Sequence, residues 1–244
     1  MKWVESSADS AAEEETPTEE AVEPWSLYGS HFIVSAERLT SFVAWSKETT
    51  SEVQSYYYPT SFDSVQKTTG VDVSLLGAGG AVRSLSSLPR LAFDGVLSMG
   101  LTIGGSLSYV GSGGQTELGG ASAELSDLSI FVFAPRVGAL LRVSPTLGIW
   151  LRGGISRTSV VGAGSFTSTD GSSVEVEQTA TLWHASIDPQ LVLVAAPHVA
   201  FTLAALLDIG LPGTVETKIS SSTTATADQT ASGYGLSAGL AAIF

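Results

Sequence analysis

Three features predict an all-β, up-and-down antiparallel transmembrane β-barrel of about eight strands, ten being possible. Apolar residues recur at every second position, the connections alternate between short and long, and charge is scarce. Only 14% of the 244 residues are charged, whereas an ordinary soluble domain has about a quarter. Twenty-six glycines accompany a positive mean hydropathy of +0.27, which pairs apolar character with a flexible backbone. The chain has no Cys, which excludes disulfides, thiol nucleophiles and Cys-based zinc sites. Three His leave little for a His-rich metal centre, and no cofactor is expected. A net charge of -13 with 11 Lys and Arg excludes nucleic acid as a partner, because that binding depends on neutralising phosphates.

The charge is unevenly placed. Residues 1–24 hold eight acidic side chains against Lys2 alone, so they account for seven of the thirteen net negative charges. With Pro17, Pro24 and few large apolar residues, this stretch cannot bury enough surface to order itself, and it reads as a disordered acidic tail. No apolar run follows Met1, Lys2, Trp3 and Val4, so these residues carry no export signal. The barrel is expected over 25–244.

Alternation marks strands near 30–46, 82–95, 98–110, 128–143, 146–160, 178–194, 198–212 and 232–244. The clearest is Val199, Phe201, Leu203, Ala205, Leu207, Ile209 and Leu211, interleaved with Ala200, Thr202, Ala204, Leu206, Asp208 and Gly210. Period two puts one set on each face of a strand. A hydropathy window would prefer a membrane helix over 191–211, but Pro197, His198 and Asp208 interrupt it. Short turns fall at 95–97, 144–145 and 196–197. Long Ser, Thr and Gly-rich loops are expected at 47–81, 111–127, 161–177 and 213–231. Within the first of these, 53–58 and 71–75 have the pattern of an extra hairpin or a sheet rising above the wall.

The apolar face must point outward. A soluble ligand-binding barrel needs a water-facing wall with about 25–35% charged residues. Here the second face is mostly Gly, Ser, Thr and Ala with a few charges, which suits a narrow lumen. The aromatics agree. Trp45, Tyr109, Phe131, Trp183 and Tyr234 lie toward the long-loop ends of their strands, and Trp25, Phe32, Phe93, Phe201 and Phe244 toward the short-turn ends. Two belts of amphipathic rings match the two interfaces of a bilayer.

At the carboxyl end Tyr234, Leu236, Ala238, Leu240, Ala242 and Phe244 occupy alternate positions, with Phe last. This resembles the closing strand of the small bacterial outer-membrane β-barrel proteins. The segments at 89–94 and 135–138 are similar to strand openings in uncharacterised members of that family. The resemblance covers about nine-tenths of the chain as pattern. It implies residence in the bacterial outer membrane, with lipid and lipopolysaccharide around the wall. It also implies that the barrel-assembly machinery reads Tyr234, Leu236, Ala238, Leu240 and Phe244. The acidic tail would then lie in the periplasm and the long loops outside the cell. The missing export signal departs from the family pattern.

Several charges fall on the small-residue faces: Glu37, Arg90, Asp94, Arg136, Arg142, Arg152, Asp188 and Asp208. Buried charges must pair, so an interior Arg–carboxylate network is expected, and in eight strands it would act as a plug more readily than as an ion path. Glu37 and Arg38 are adjacent and would face opposite sides of a straight strand; a β-bulge turning both inward resolves the conflict. His184, Ser186 and Asp188 share one face, as a lipid-modifying enzyme would need. Along one strand, however, the outer two lie about 13 Å apart, which favours a hydrogen-bonded cluster over a catalytic set. The function expected is therefore structural or interactive, through the long loops. The alternative is a small porin. A closed barrel should migrate faster on a detergent gel unheated than boiled; equal mobility would contradict it.

Overall fold

The computed structural model describes residues 31–54, 61–75, 84–118, 121–167, 173–219 and 223–244. The acidic tail and Trp25 lie outside them. Ten β-segments follow one another: β1 (His31–Gln54), β2 (Ser61–Leu75), β3 (Arg90–Val96), β4 (Leu101–Leu118), β5 (Ala121–Arg142), β6 (Leu147–Thr167), β7 (Ser173–Ile187), β8 (Gln190–Ala196), β9 (Val199–Ile219) and β10 (Thr223–Ile243). Every pairing is antiparallel, and β1 closes the ring against β10.

The ten segments make eight passages of the wall. β2 and β3 lie end to end along β1, pairing Thr40–Gln54 and His31–Glu37 respectively. β7 and β8 likewise lie end to end between β6 and β9. Asp188 and Pro189 interrupt that second pair, where proline's missing N–H breaks the ladder. This reconciles the counts of eight and ten.

Alternation translates directly into an outside and an inside. From Val199 to Ile209 every odd residue is exposed and every even one buried. The outer surface is an apolar wall that includes Ile103, Leu151, Ile155, Leu203 and Leu236. Phe32, Phe93, Tyr109, Phe131, Trp183, Phe201, Tyr234 and Phe244 all face outward, with Phe42 and Phe133 on the same surface. Phe32 and Phe93 stack at 5.3 Å between ring centres. Arg157 reaches over the Trp183 ring at 5.9 Å, a cation held at the outer aromatic level. Trp45 departs from the expected belt. It lies on the lumen face in register with Gly70 and Gly233, half-buried, because the bulge earlier in β1 resets which residues point inward.

The expected long loops are mostly sheet. β4 and β5 stay paired to Leu118 and Ala121, β6 and β7 to Thr167 and Ser173, and β9 and β10 to Ile219 and Thr223. A membrane crossing takes about 9–11 residues per strand. β1, β5, β6, β9 and β10 have 21–24, so their Ser and Thr-rich ends continue past the apolar band as paired hairpins. Ser and Thr are compatible with strand pairing when both faces of the hairpin meet water, so composition alone misreads them as loop.

The lumen is layered. At the short-turn end an apolar core joins Ile33, Val96, Leu140, Trp150, Val192 and Ile243. Trp150 is 1% exposed and donates its indole N–H to Thr102 Oγ1 at 3.0 Å. Above this core lie the charges. Above them, a turn of 3-10 helix over Leu85–Ser87 leaves the wall and enters the lumen, where Ser84, Ser86, Ser87 and Leu88 are buried. The expected strand over 82–95 therefore begins only at Arg90. Ser84 caps the turn by accepting from Ser86 N at 3.2 Å, and Pro89 prevents its extension as helix.

Trp150→Ala should destabilise the folded barrel by about 3–5 kcal/mol, the usual cost of a large void in a packed interior. Phe201→Ala, on the lipid-facing surface, should cost clearly less. Urea titration followed by heat-modifiable migration measures both. Equal losses would show that the core at the short-turn end is not close-packed.

Candidate functional site

The charged layer is built on the bulge in β1. Between Ala36 and Thr40, three residues of β1 oppose the single Gly239 of β10, and Arg38 takes a left-handed φ of 56°. The detour points Glu37 and Arg38 into the lumen together, each 4% exposed. A straight strand would have left one of them in the lipid.

Glu37 is the centre. It accepts two bonds from Arg136, at 2.7 and 2.8 Å, one from Arg152 at 2.5 Å and one from Ser35 Oγ at 2.9 Å. Arg136 also donates to Asp94 through Nε at 2.9 Å and through Nη2. Arg152 donates to Asp188, which accepts again from Gln190 Nε2 at 3.3 Å. The Arg152 guanidinium also sits 4.5 Å from the centre of the Trp150 ring, which ties the charges to the apolar core below. On the upper side Arg38 pairs with Asp208 at 3.2 Å and donates to the Ser86 carbonyl at 2.7 Å, fastening the inserted turn to the plug.

Arg90 is buried in the same layer and makes no ion pair among the described residues. Arg142 is a correction. It falls on the inner face but at the short-turn rim, half-buried and opposite Gly148, and joins no ion pair among the described residues. The layer therefore holds Arg38, Arg90, Arg136 and Arg152 against Glu37, Asp94, Asp188 and Asp208, a formal sum of zero. The space that Glu37, Arg38, Arg90, Arg136, Arg152 and Asp188 line together is about 20 Å³, room for roughly one water molecule.

Glycine makes the layer possible. Arg136 lies across from Gly104 on one side and Gly154 on the other, Arg152 from Gly138, and Asp208 from Gly233. A Cβ at Gly138 would stand 2.8 Å from Thr102 Oγ1 and 3.0 Å from Arg152 Cγ. At Gly154 it would stand 2.9 Å from Arg136 Cα.

His184, Ser186 and Asp188 all occur on the inner side, but they do not form a unit. Asp188 is engaged by Arg152 and Gln190, and His184 lies higher, where it lines a second and larger space. That space is a cavity of about 520 Å³ above the plug, with the inserted turn as part of its floor. Leu128, Ile130, Val160, Ala180, Leu182 and Val215 form its apolar side. Trp45 and Lys47 stand across from them. The cavity and its serine floor were not foreseen, because the segment that makes the floor reads as wall.

The fold and its outward apolar surface define a barrel of the outer-membrane type. No family model matches the sequence, and no curated protein does. Among solved structures the chain is similar to the outer membrane protein OprG from Pseudomonas aeruginosa, with 11% identity, a TM-score of 0.49, and coverage of 89% of this chain and 97% of that one. It is also similar to the outer membrane protease OmpT from Escherichia coli, with 10% identity, a TM-score of 0.45, and coverage of 88% and 97%. A third is Ail, the attachment invasion locus protein of Yersinia pestis, with 9% identity, a TM-score of 0.32, and coverage of 85% and 98%.

Glu37→Ala strands two guanidiniums and should destabilise the barrel by about 3–5 kcal/mol, as breaking a buried ion pair does. Glu37→Gln keeps the acceptor oxygen and the shape, so it should lose less. Gly138→Val should fold poorly although it alters no charge. Folding yields and urea midpoints of the three variants in lipid vesicles check this. A neutral Glu37→Ala would contradict the central role of Glu37.

Proposed function

We propose that this chain is a non-conducting outer-membrane barrel that presents a rim of paired hairpins and a cup to the cell exterior, and acts by contact there. One observation carries the reading: Glu37, Arg136, Arg152, Asp94 and Asp188 are paired in one layer, and the space lined by Glu37, Arg136, Arg152 and Asp188 holds about one water. An eight-stranded barrel has little interior beyond what its side chains fill. Conduction would require an ion to displace the bonds on Glu37, Arg136 and Arg152, and the apolar core blocks the path again below them. Transport is thus disfavoured twice, by charge pairing and by packing.

The rim supports a contact role. The hairpins project well beyond the apolar band, and their exposed charges include Glu48, Asp127, Glu175, Glu177, Glu216 and Asp228 against Lys47, Lys67 and Lys218. Such a surface favours cationic partners over polyanions.

Refolded wild-type protein in a planar lipid bilayer should give no conductance steps in potassium chloride. The double substitution Glu37→Ala with Arg136→Ala removes one charge of each sign and should produce flickering openings. Steady channels in the wild type would overturn the reading in favour of a porin.

A further inference from the structure

One cation breaks the pattern of the outer wall. On β6 the side chains of Arg152, Ser156 and Thr158 are buried in the lumen, so Arg157 points outward, where it is exposed. It lies over the Trp183 ring and enters no ion pair among the described residues. An arginine on the lipid face costs about 2–4 kcal/mol at the midplane and about 0–1 near the interfaces, so its level decides what it meets. From Leu147, where β6 begins, to Arg157 the strand climbs about 25 Å at the usual rise and tilt, the height of the apolar band in such barrels. Composition changes at the same level. Arg157 is in register with Phe133 and Trp183, and Trp183 with Leu211. Below this row the outward side chains are apolar, as Leu151 and Ile155 on β6, Ile187 on β7 and Ile209 on β9 show. In the row above stand three hydroxyls, Ser159, Thr181 and Thr214, each in register with the next. Arg157 thus marks the seam where the apolar band meets the polar hairpins.

The seam has the chemistry of an anion site. A guanidinium presents a planar fork of donors that matches a phosphate, and it keeps its charge at any working pH. The Trp183 ring, with its centre 5.9 Å from the guanidinium carbon, steadies the group and leaves its N–H edges free. The Ser159 and Thr181 hydroxyls one row higher add two donors. Below them the exposed side chains of Phe133, Ile155 and Trp183 form an apolar bed. The acidic hairpins begin higher. Glu177 is six residues beyond Trp183 on β7, about 20 Å along the strand, and Glu216 is engaged with Lys218 at 3.7 Å.

We propose that Arg157, with Ser159 and Thr181, binds the phosphate of an outer-leaflet lipid headgroup, while Phe133, Ile155 and Trp183 bed its acyl chains. The order of the groups selects a lipid as the occupant: the anion site lies above and the apolar bed directly below, as headgroup and chains do in a leaflet. Free phosphate has no use for the bed. The site is on the outside of the wall, apart from the plug and from the rim, so it goes beyond the contact role and holds whether or not the lumen conducts.

Native mass spectrometry of the refolded chain, released from detergent micelles, counts the lipids each barrel keeps. The probe is lipid A, offered intact and after a phosphatase has removed its phosphates. The wild type should keep one intact molecule, and the stripped form about tenfold less, the worth of charge-assisted hydrogen bonds to one phosphate. Arg157→Gln should lose intact lipid A by the same factor. Arg157→Lys should recover part of it, since lysine keeps the charge without the fork. Ser159→Ala should give a smaller loss. Arg157 and Ser159 face outward, so all three variants should keep heat-modifiable migration. Arg142→Gln, at the opposite rim, should retain lipid A as the wild type does, and excess inorganic phosphate should not displace it. Equal retention of the intact and stripped lipid, or by the wild type and Arg157→Gln, would overturn the site. An equal loss in Arg142→Gln would overturn it in favour of unspecific charge attraction, and displacement by inorganic phosphate in favour of a free-anion site.

Discussion

Everything in this barrel depends on placing eight charged side chains inside a tube scarcely wide enough for side chains at all. Desolvating a charge costs several kcal/mol, and pairing recovers it only when geometry is good and the remaining donors and acceptors are satisfied. Glu37 meets that condition by accepting from two arginines and a serine, and Arg136 meets it by spanning Glu37 and Asp94. The bulge in β1, the glycines across from the arginines and the inserted serine turn are each a consequence. The bulge supplies a second charge from one stretch of strand, the glycines supply room, and the turn supplies a carbonyl for Arg38.

The unusual composition follows from the same constraint. A glycine facing an arginine across a ladder would be wasteful in a soluble sheet, where it costs conformational entropy and packs nothing. Here the missing Cβ is the space that the guanidinium occupies, as Gly138 and Arg152 show. Lipid replaces water on the outside, so the wall needs few charges there. The charges that remain are concentrated at two levels, the paired layer inside and the hairpin rim above.

Much of this was legible in the sequence, because period two is a strong signal when one face is uniformly apolar. The run from Val199 to Ile209 assigns its own inside and outside, and adjacent charges at 37 and 38 announce a bulge because neither residue can face lipid. Three things were not legible. Trp150, Leu140 and Ile243 are apolar on the inner face, so a rule that sends apolar side chains to lipid misplaces the core at the short-turn end. Ser and Thr-rich hairpins look like loops because nothing in their composition reports the partner strand. The segment from Ser84 to Leu88 alternates weakly enough to pass for wall, and only the register on either side of it shows that β2 and β3 are two pieces of one passage.

That last feature links plug and cup. β2 pairs with β1 up to Leu75 and β3 from Arg90, and the turn over Leu85–Ser87 lies inside the lumen, where the Ser86 carbonyl holds Arg38. The same turn is tied to the wall, since Asp72 of β2 accepts from Ser84 N at 3.3 Å and from Ser87 Oγ at 2.6 Å. A barrel of eight passages can seal its interior with long side chains alone. This one uses backbone for part of the seal, as the Ser86 carbonyl on Arg38 shows.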